Sequence, residues 1–158
     1  DVVFVPEPNT PLFFTFYSHQ HNKGAVWVPQ WQVHPNTATN LAEIYIVSDQ
    51  PKADFGKTFA ALLGEEALEE SNSGLTIHAP KNGIIRIFNS EDFEKRFLNG
   101  DSAEQKRPYC AGFVIEVADI SKAEQYLLEQ KIMFQKDGAI ITVHPQETKG
   151  VLIQFREG

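Results

Sequence analysis

A six-residue pattern in the first third of this 158-residue chain returns 70 residues later, and that repeat constrains the fold more than any single motif. Ile44 to Asp49 reads Ile-Tyr-Ile-Val-Ser-Asp, and Val114 to Asp119 reads Val-Ile-Glu-Val-Ala-Asp. Each continues as Asp-x-x-Lys-Ala-acid, through Lys52, Ala53 and Asp54 in one copy and Lys122, Ala123 and Glu124 in the other. From Asp49 to Asp119 the offset is 70 residues, and the other matched positions keep it. The chain is therefore expected to build one structural unit twice.

The flanks repeat as well. In the first copy Pro51 falls just inside a helix start, where its missing N–H costs nothing. Phe55, Phe59, Leu62 and Leu63 mark one apolar helix face, and Gly64 supplies the stop. In the second, Asp119 or Ser121 caps a helix whose buried stripe is Ala123, Tyr126 and Leu127. Strand-like runs follow each helix. Leu75–His78 and Ile84–Phe88 flank the turn Pro80–Gly83. Ile132–Gln135, Ala139–His144 and Val151–Phe155 are separated by Asp137-Gly138 and Pro145–Gly150. Each copy reads strand, helix, then two or three antiparallel strands. Between the copies, Asn89 offers a cap and Phe93 and Phe97 sit four apart on a short helix. Residues 99–108 read as a linker. Residues 1–40 form a leading piece in which Leu12–Tyr17 reads as a strand, followed by an irregular loop through Trp27, Trp31 and His34.

Composition excludes several classes. With 42% hydrophobic residues, 2 Trp, 4 Tyr and 12 Phe, the chain can bury enough surface to offset its conformational entropy. A net charge of -7 and an isoelectric point near 5.2 argue against nucleic-acid binding, which needs a basic footprint. No apolar run approaches the roughly 18 residues that span a bilayer, so no membrane partner is expected. The lone cysteine, Cys110, rules out an internal disulfide and reads as a small buried hydrophobe rather than a nucleophile. A chain beginning at Asp1, with Met133 its one methionine, reads as processed, cleaved or truncated. No signal peptide is visible, and a cytoplasmic location is the expectation.

Two strand-helix-strand-strand-strand modules in tandem resemble the vicinal oxygen chelate superfamily, the glyoxalase, bleomycin-resistance and ring-cleavage dioxygenase group. The likeness is closest to its glyoxalase-like members. It rests on Phe16, Gln20-His21, the string Trp27-Val28-Pro29-Gln30-Trp31-Gln32-Val33-His34-Pro35-Asn36 and the closing Gly150–Phe155, and covers residues 12–157. The resemblance implies an α+β fold of two βαβββ modules, 41–98 and 109–158, paired into a cup-like mixed sheet with helices outside. It further implies that the chain is the C-terminal half of a longer protein. A small molecule would bind in the cup, and a second copy or upstream modules would be the protein partners.

Enzymes of this group use a divalent metal held by one residue from the first and one from the last strand of each module. Carried over, those places are Ala42, Gly112, Gln154 and either Ile87 or Arg86. Glu43 stands next to one of them, but a one-residue step is expected to turn it to the opposite face. One amide does not hold a metal, so no cofactor is expected in this chain. Whether it is an enzyme of lyase, isomerase or dioxygenase type or a non-catalytic binding or dimerisation domain stays open on the residues alone.

Six residues are the candidate ligand contacts. Arg86 interrupts an apolar strand; if Ile85 and Ile87 pack under the helices, it faces the cup beside Gln154 and suits a carboxylate. Trp31 and Phe16, with Phe14, read either as pocket lining or as core. His21 and His34, with His19, read either as structural histidines or as a metal set unrelated to the superfamily's. The His34-Pro35-Asn36 turn also has a plain reading, with both side chains bonding neighbouring main-chain groups. Glu116 reads as a paired or exposed charge, and His78 and His144 as structural.

Overall fold

The computed structural model describes residues 1–5, 15–98 and 108–158, without the side chains of 3–5 and 15–17. The strands in chain order are β1 (Val2–Val5), β2 (Thr15–Ser18), β3 (Ala38–Val47), β4 (Leu68–Ser71), β5 (Gly74–Ala79), β6 (Gly83–Phe88), β7 (Tyr109–Val117), β8 (Gln135–Asp137), β9 (Ile140–Val143) and β10 (Leu152–Glu157). Four α-helices accompany them: α1 (Lys23–Val26), α2 (Lys57–Leu63), α3 (Ser90–Phe93) and α4 (Ile120–Glu129).

Eight strands form one curved, unclosed sheet in the order β4-β5-β6-β3-β7-β10-β9-β8. Each half is built alike. The first strand pairs in parallel with the last of its own half, β3 with β6 and β7 with β10. Antiparallel strands then continue outward from each last strand. The halves meet where β3 and β7 run antiparallel. β1 and β2 pair separately as a small antiparallel ribbon. Among the described residues no helix is long and apolar enough to cross a membrane.

Local chemistry explains the elements. Asp119 caps α4 by accepting from the Lys122 N–H at 3.0 Å, and Asn89 caps α3 through the Asp92 N–H at 2.9 Å. Asp49, the repeat partner of Asp119, instead accepts from the Ser90 hydroxyl at 2.8 Å. A π-helical turn, Lys52–Gly56, leads into α2 and buries Phe55 completely; Gly64 ends the helix at φ 93°, a backbone region glycine enters freely. Phe55 and Phe59 pack on Ile46, Ile77 and Ile87, while Ala123 and Leu127 pack on Val117, Ile141 and Phe155. A third cluster, with Tyr45, Phe88, Phe93, Val114 and Leu152, joins the halves at the seam.

Three segments differ from the sequence expectation. The first copy has the third strand after its helix that a βαβββ module implies, β4, which the apolar runs leave out because its Glu69, Glu70 and Ser71 are all exposed. Ile132–Phe134 is not a strand. Lys131 turns the chain at φ 58°, the Ile132 N–H bonds back to the Leu127 carbonyl, and Ile132 and Phe134 seal the α4 cluster. Between Lys23 and Trp31, where an irregular loop is expected, lie α1 and a 3₁₀ turn, Pro29–Trp31. Of Leu12–Tyr17, residues 12–14 lie outside the described residues and 15–17 belong to β2.

Candidate functional site

Alternation on β3 and β6 divides their side chains between two environments. Ile44, Ile46, Ile85 and Ile87 join the cluster beneath α2, which turns Glu43, Tyr45, Arg86 and Phe88 to the other face. On β7 and β10 the same alternation sends Val114, Gln154 and Arg156 to that face. Together these residues line a cavity of about 520 Å³ in the concave sheet, walled by Thr142 and His144 of the β9 side and Asp137 of β8.

Glu43 sits at the floor, only 5% exposed, with both carboxylate oxygens engaged. Arg86 Nε donates to Oε2 at 2.6 Å and Arg156 donates to Oε1 at 2.8 Å. Arg156 also donates to Glu116 at 3.2 Å, and Glu116 accepts from the Asn40 amide at 3.1 Å. Those two donors hold the Glu116 carboxyl below its usual range. Burial pulls the Arg156 guanidinium down, but Glu116 and Glu43 more than reverse this and its pKa is raised. Beside the network, the Tyr45 hydroxyl donates to Gln154 Oε1 at 3.1 Å, and the Gln154 amide donates to Thr142 at 3.0 Å. Burial, followed by the charge of Glu43, pushes Tyr45 up to about 12. The phenol therefore stays protonated and acts as a fixed donor.

The position of Glu43 corrects one sequence inference. Tyr45 pairs with Arg86 on β6 as Val114 pairs with Gln154 on β10, so the two halves match Tyr45 to Val114 and, two residues earlier, Glu43 to Gly112. Unbroken pairing of Glu43 to Val47 with β6, in which Ile44 and Ile46 face α2, puts Glu43, not Ala42, into the cup. A metal centre at these places would have Glu43, Arg86, Gly112 and Gln154 to draw on. They do not suit a divalent cation: the carboxylate is held by two guanidiniums, the amide oxygen accepts from Tyr45, and Arg86 repels.

Of the six candidate contacts, the cavity brings together Arg86 and Gln154. Trp31, His34 and His21 do not line it. Trp31 is 76% exposed, at the end of the 3₁₀ turn Pro29–Trp31. His34 stacks edge-on against Tyr126 of α4 at 5.3 Å, and its Nδ1 accepts from the Asn36 N–H at 3.2 Å. The buried Asn36 in turn bonds the Ala38 N–H, so the His-Pro-Asn turn fixes the entry to β3. His21 is exposed, bonded to Asp1 at 2.9 Å, with its ring 4.7 Å from that of His19. Among the described residues, no group of three such side chains is gathered for a metal. The side chain of Phe16 lies outside the described residues.

Glu43, Tyr45 and Arg156 are cup residues that sequence reasoning missed. The alternation Glu-Ile-Tyr-Ile and the two-residue step from Gln154 to Arg156 carry the signal, read from Arg86 and Gln154 outward.

By sequence the chain matches no family model and no curated protein. Its structure is similar to that of methylmalonyl-CoA epimerase from Mycobacterium tuberculosis, with TM-score 0.51 and 17% identity over 79% of this chain and 91% of that one. It is also similar to homoprotocatechuate 2,3-dioxygenase from Arthrobacter globiformis, with TM-score 0.50 and 16% identity over 82% of this chain and 39% of that one. The fold is the vicinal oxygen chelate fold. At these identities the likeness concerns architecture, a glyoxalase-like fold with a cup, and not a reaction.

Proposed function

We propose that the protein binds a small organic anion in the sheet cup, with Arg86 as the anchor for its acidic group. The observation that carries this reading is the state of Arg86. Its Nε is committed to Glu43, its side chain is 37% exposed, and its terminal nitrogens have no partner among the described residues. A guanidinium held in place by one carboxylate, with its outer edge free beside a cavity, is set up to receive another. Tyr45 and Gln154 add a fixed polar pair, and Phe88, Phe97 and Val114 add apolar wall, the mixture that small-molecule sites use.

Binding fits the residues better than turnover. Glu43, the carboxylate on the floor, accepts a charged donor at each oxygen and so is poorly placed to take a proton from a ligand. Titration of the intact chain with 3-phenylpropionate and with its neutral amide, followed by backbone amide shifts in NMR, tests the reading. The acid should perturb β3, β6 and β10 and bind roughly tenfold more tightly than the amide. Arg86→Gln should erase that preference. Equal affinity of the wild-type chain for acid and amide, or shifts confined to the outer helices, would overturn it.

A further inference from the structure

The ion network on the cup floor is electrically balanced, since Arg86 and Arg156 face Glu43 and Glu116. The cavity has a third guanidinium that belongs to no such balance. Arg96 comes from the π-helical turn Glu94–Leu98 that follows α3, and it lies over the Phe97 ring with Cζ 5.4 Å from the centroid. It makes no ion pair among the described residues, yet its charge acts on the Tyr45 hydroxyl and opposes the effect of burial there. A second hollow, of about 180 Å³, lies against Glu69, Ser71 and Thr76 of the outer strands and Ser73 of the turn between them. Arg86 and Arg96 border both hollows and stand at the seam between them.

We infer that Arg96 is a second anion-binding residue, a positive charge at the seam with no ion pair among the described residues, and that the ligand is a singly charged organic anion. This rests on the reading of the cup as an anion site. The acidic group lies at the seam, hydrogen-bonded by Arg86 and attracted by Arg96, while the apolar body lies against Phe97 and Val114 in the larger hollow. One uncompensated guanidinium matches one negative charge. Asp137 on the far wall of the larger hollow disfavours a second charge at the other end of the ligand.

The division of labour between the two arginines gives the test. A hydrogen-bonding arginine in a balanced network contributes at any ionic strength, whereas an exposed unbalanced charge is screened by salt. 3-Phenylpropionate, its amide and the dianion phenylsuccinate would be titrated into the intact wild-type, Arg96→Gln, Arg96→Lys and Arg86→Gln proteins at about 20 mM and about 0.5 M salt, near and well beyond the screening regime of a cup this size. Arg96→Gln should weaken the monoanion roughly tenfold at low salt, flatten its salt dependence and leave the amide unchanged. Arg96→Lys should restore most of the loss, Arg86→Gln should weaken the monoanion at both salt levels, and phenylsuccinate should bind no more tightly than the monoanion. An unchanged affinity and salt slope in Arg96→Gln, or tighter binding of the dianion, would overturn the inference and leave the anchor at Arg86 standing. Loss of the acid-over-amide preference in the wild-type protein would instead remove the anion site itself.

Discussion

Replacing Glu43 by glutamine tests whether the ion network stabilises the sheet. The carboxylate is 5% exposed and accepts one N–H from each arginine, at 2.6 and 2.8 Å. A hydrogen bond to a charged group contributes about 1.5–3 kcal/mol, more than a neutral one. Both guanidiniums are 37% exposed, so water recovers part of what they lose. Discounting each bond to about 1 kcal/mol gives a loss of about 2 kcal/mol for a substitution that keeps shape and one acceptor. With a urea slope of about 2 kcal/mol per molar, the unfolding midpoint should fall by about 1 M with the slope unchanged. Arg156→Gln on top of Glu43→Gln should cost about 1 kcal/mol less than the two single losses summed, because one bond is removed in both. A midpoint shift below about 0.2 M, or strict additivity, would show that the network is solvated and contributes no stability.

Other positions give independent checks. A Cβ at Gly112 would lie 2.5 Å from the Leu152 carbonyl oxygen and 2.8 Å from its Cβ, so Gly112→Ala must push β7 and β10 apart. A loss of about 3 kcal/mol and a fall of roughly 10 °C in the thermal midpoint are expected, and an unchanged midpoint would deny the close approach. Tyr45, raised to about 12, should give a late component in an absorbance titration, and Tyr45→Phe should delete that component. Because its folded pKa lies above the unfolded value, its contribution to stability is whole below about pH 10 and is lost as pH rises towards 12. Asp119→Ala removes the α4 cap and should cost about 1 kcal/mol with faster amide exchange in the first turn, while Asp119→Asn should keep most of it.

The repeat made the two-module architecture legible because both copies must present the same apolar stripe to the same sheet. Phe55 and Phe59 under one helix, and Ala123 and Leu127 under the other, are the residues whose spacing announced it. Arg86 could be assigned to the cup for the same reason, since Ile85 and Ile87 had to face α2. Glu43 follows from the same alternation, one residue before Ile44, but a count of seven residues back from the repeated Asp lands on Ala42 and hides it. Arg96 follows the last strand of the first copy, where the 70-residue offset runs past the end of the second, so no counterpart points to it. Trp31 reads as pocket lining or core because large apolar side chains are usually enclosed; in the structure it is 76% exposed.

The seam between β3 and β7 has a consequence for how the polypeptide can be divided. A cut in the stretch joining residues 98 and 108 would leave two pieces, each with a long strand, β3 or β7, at the edge of its sheet and stripped of its mate. Alone, either piece should be sticky and short-lived; mixed, they should find one another and zip back along that border, restoring the hollow only as a pair.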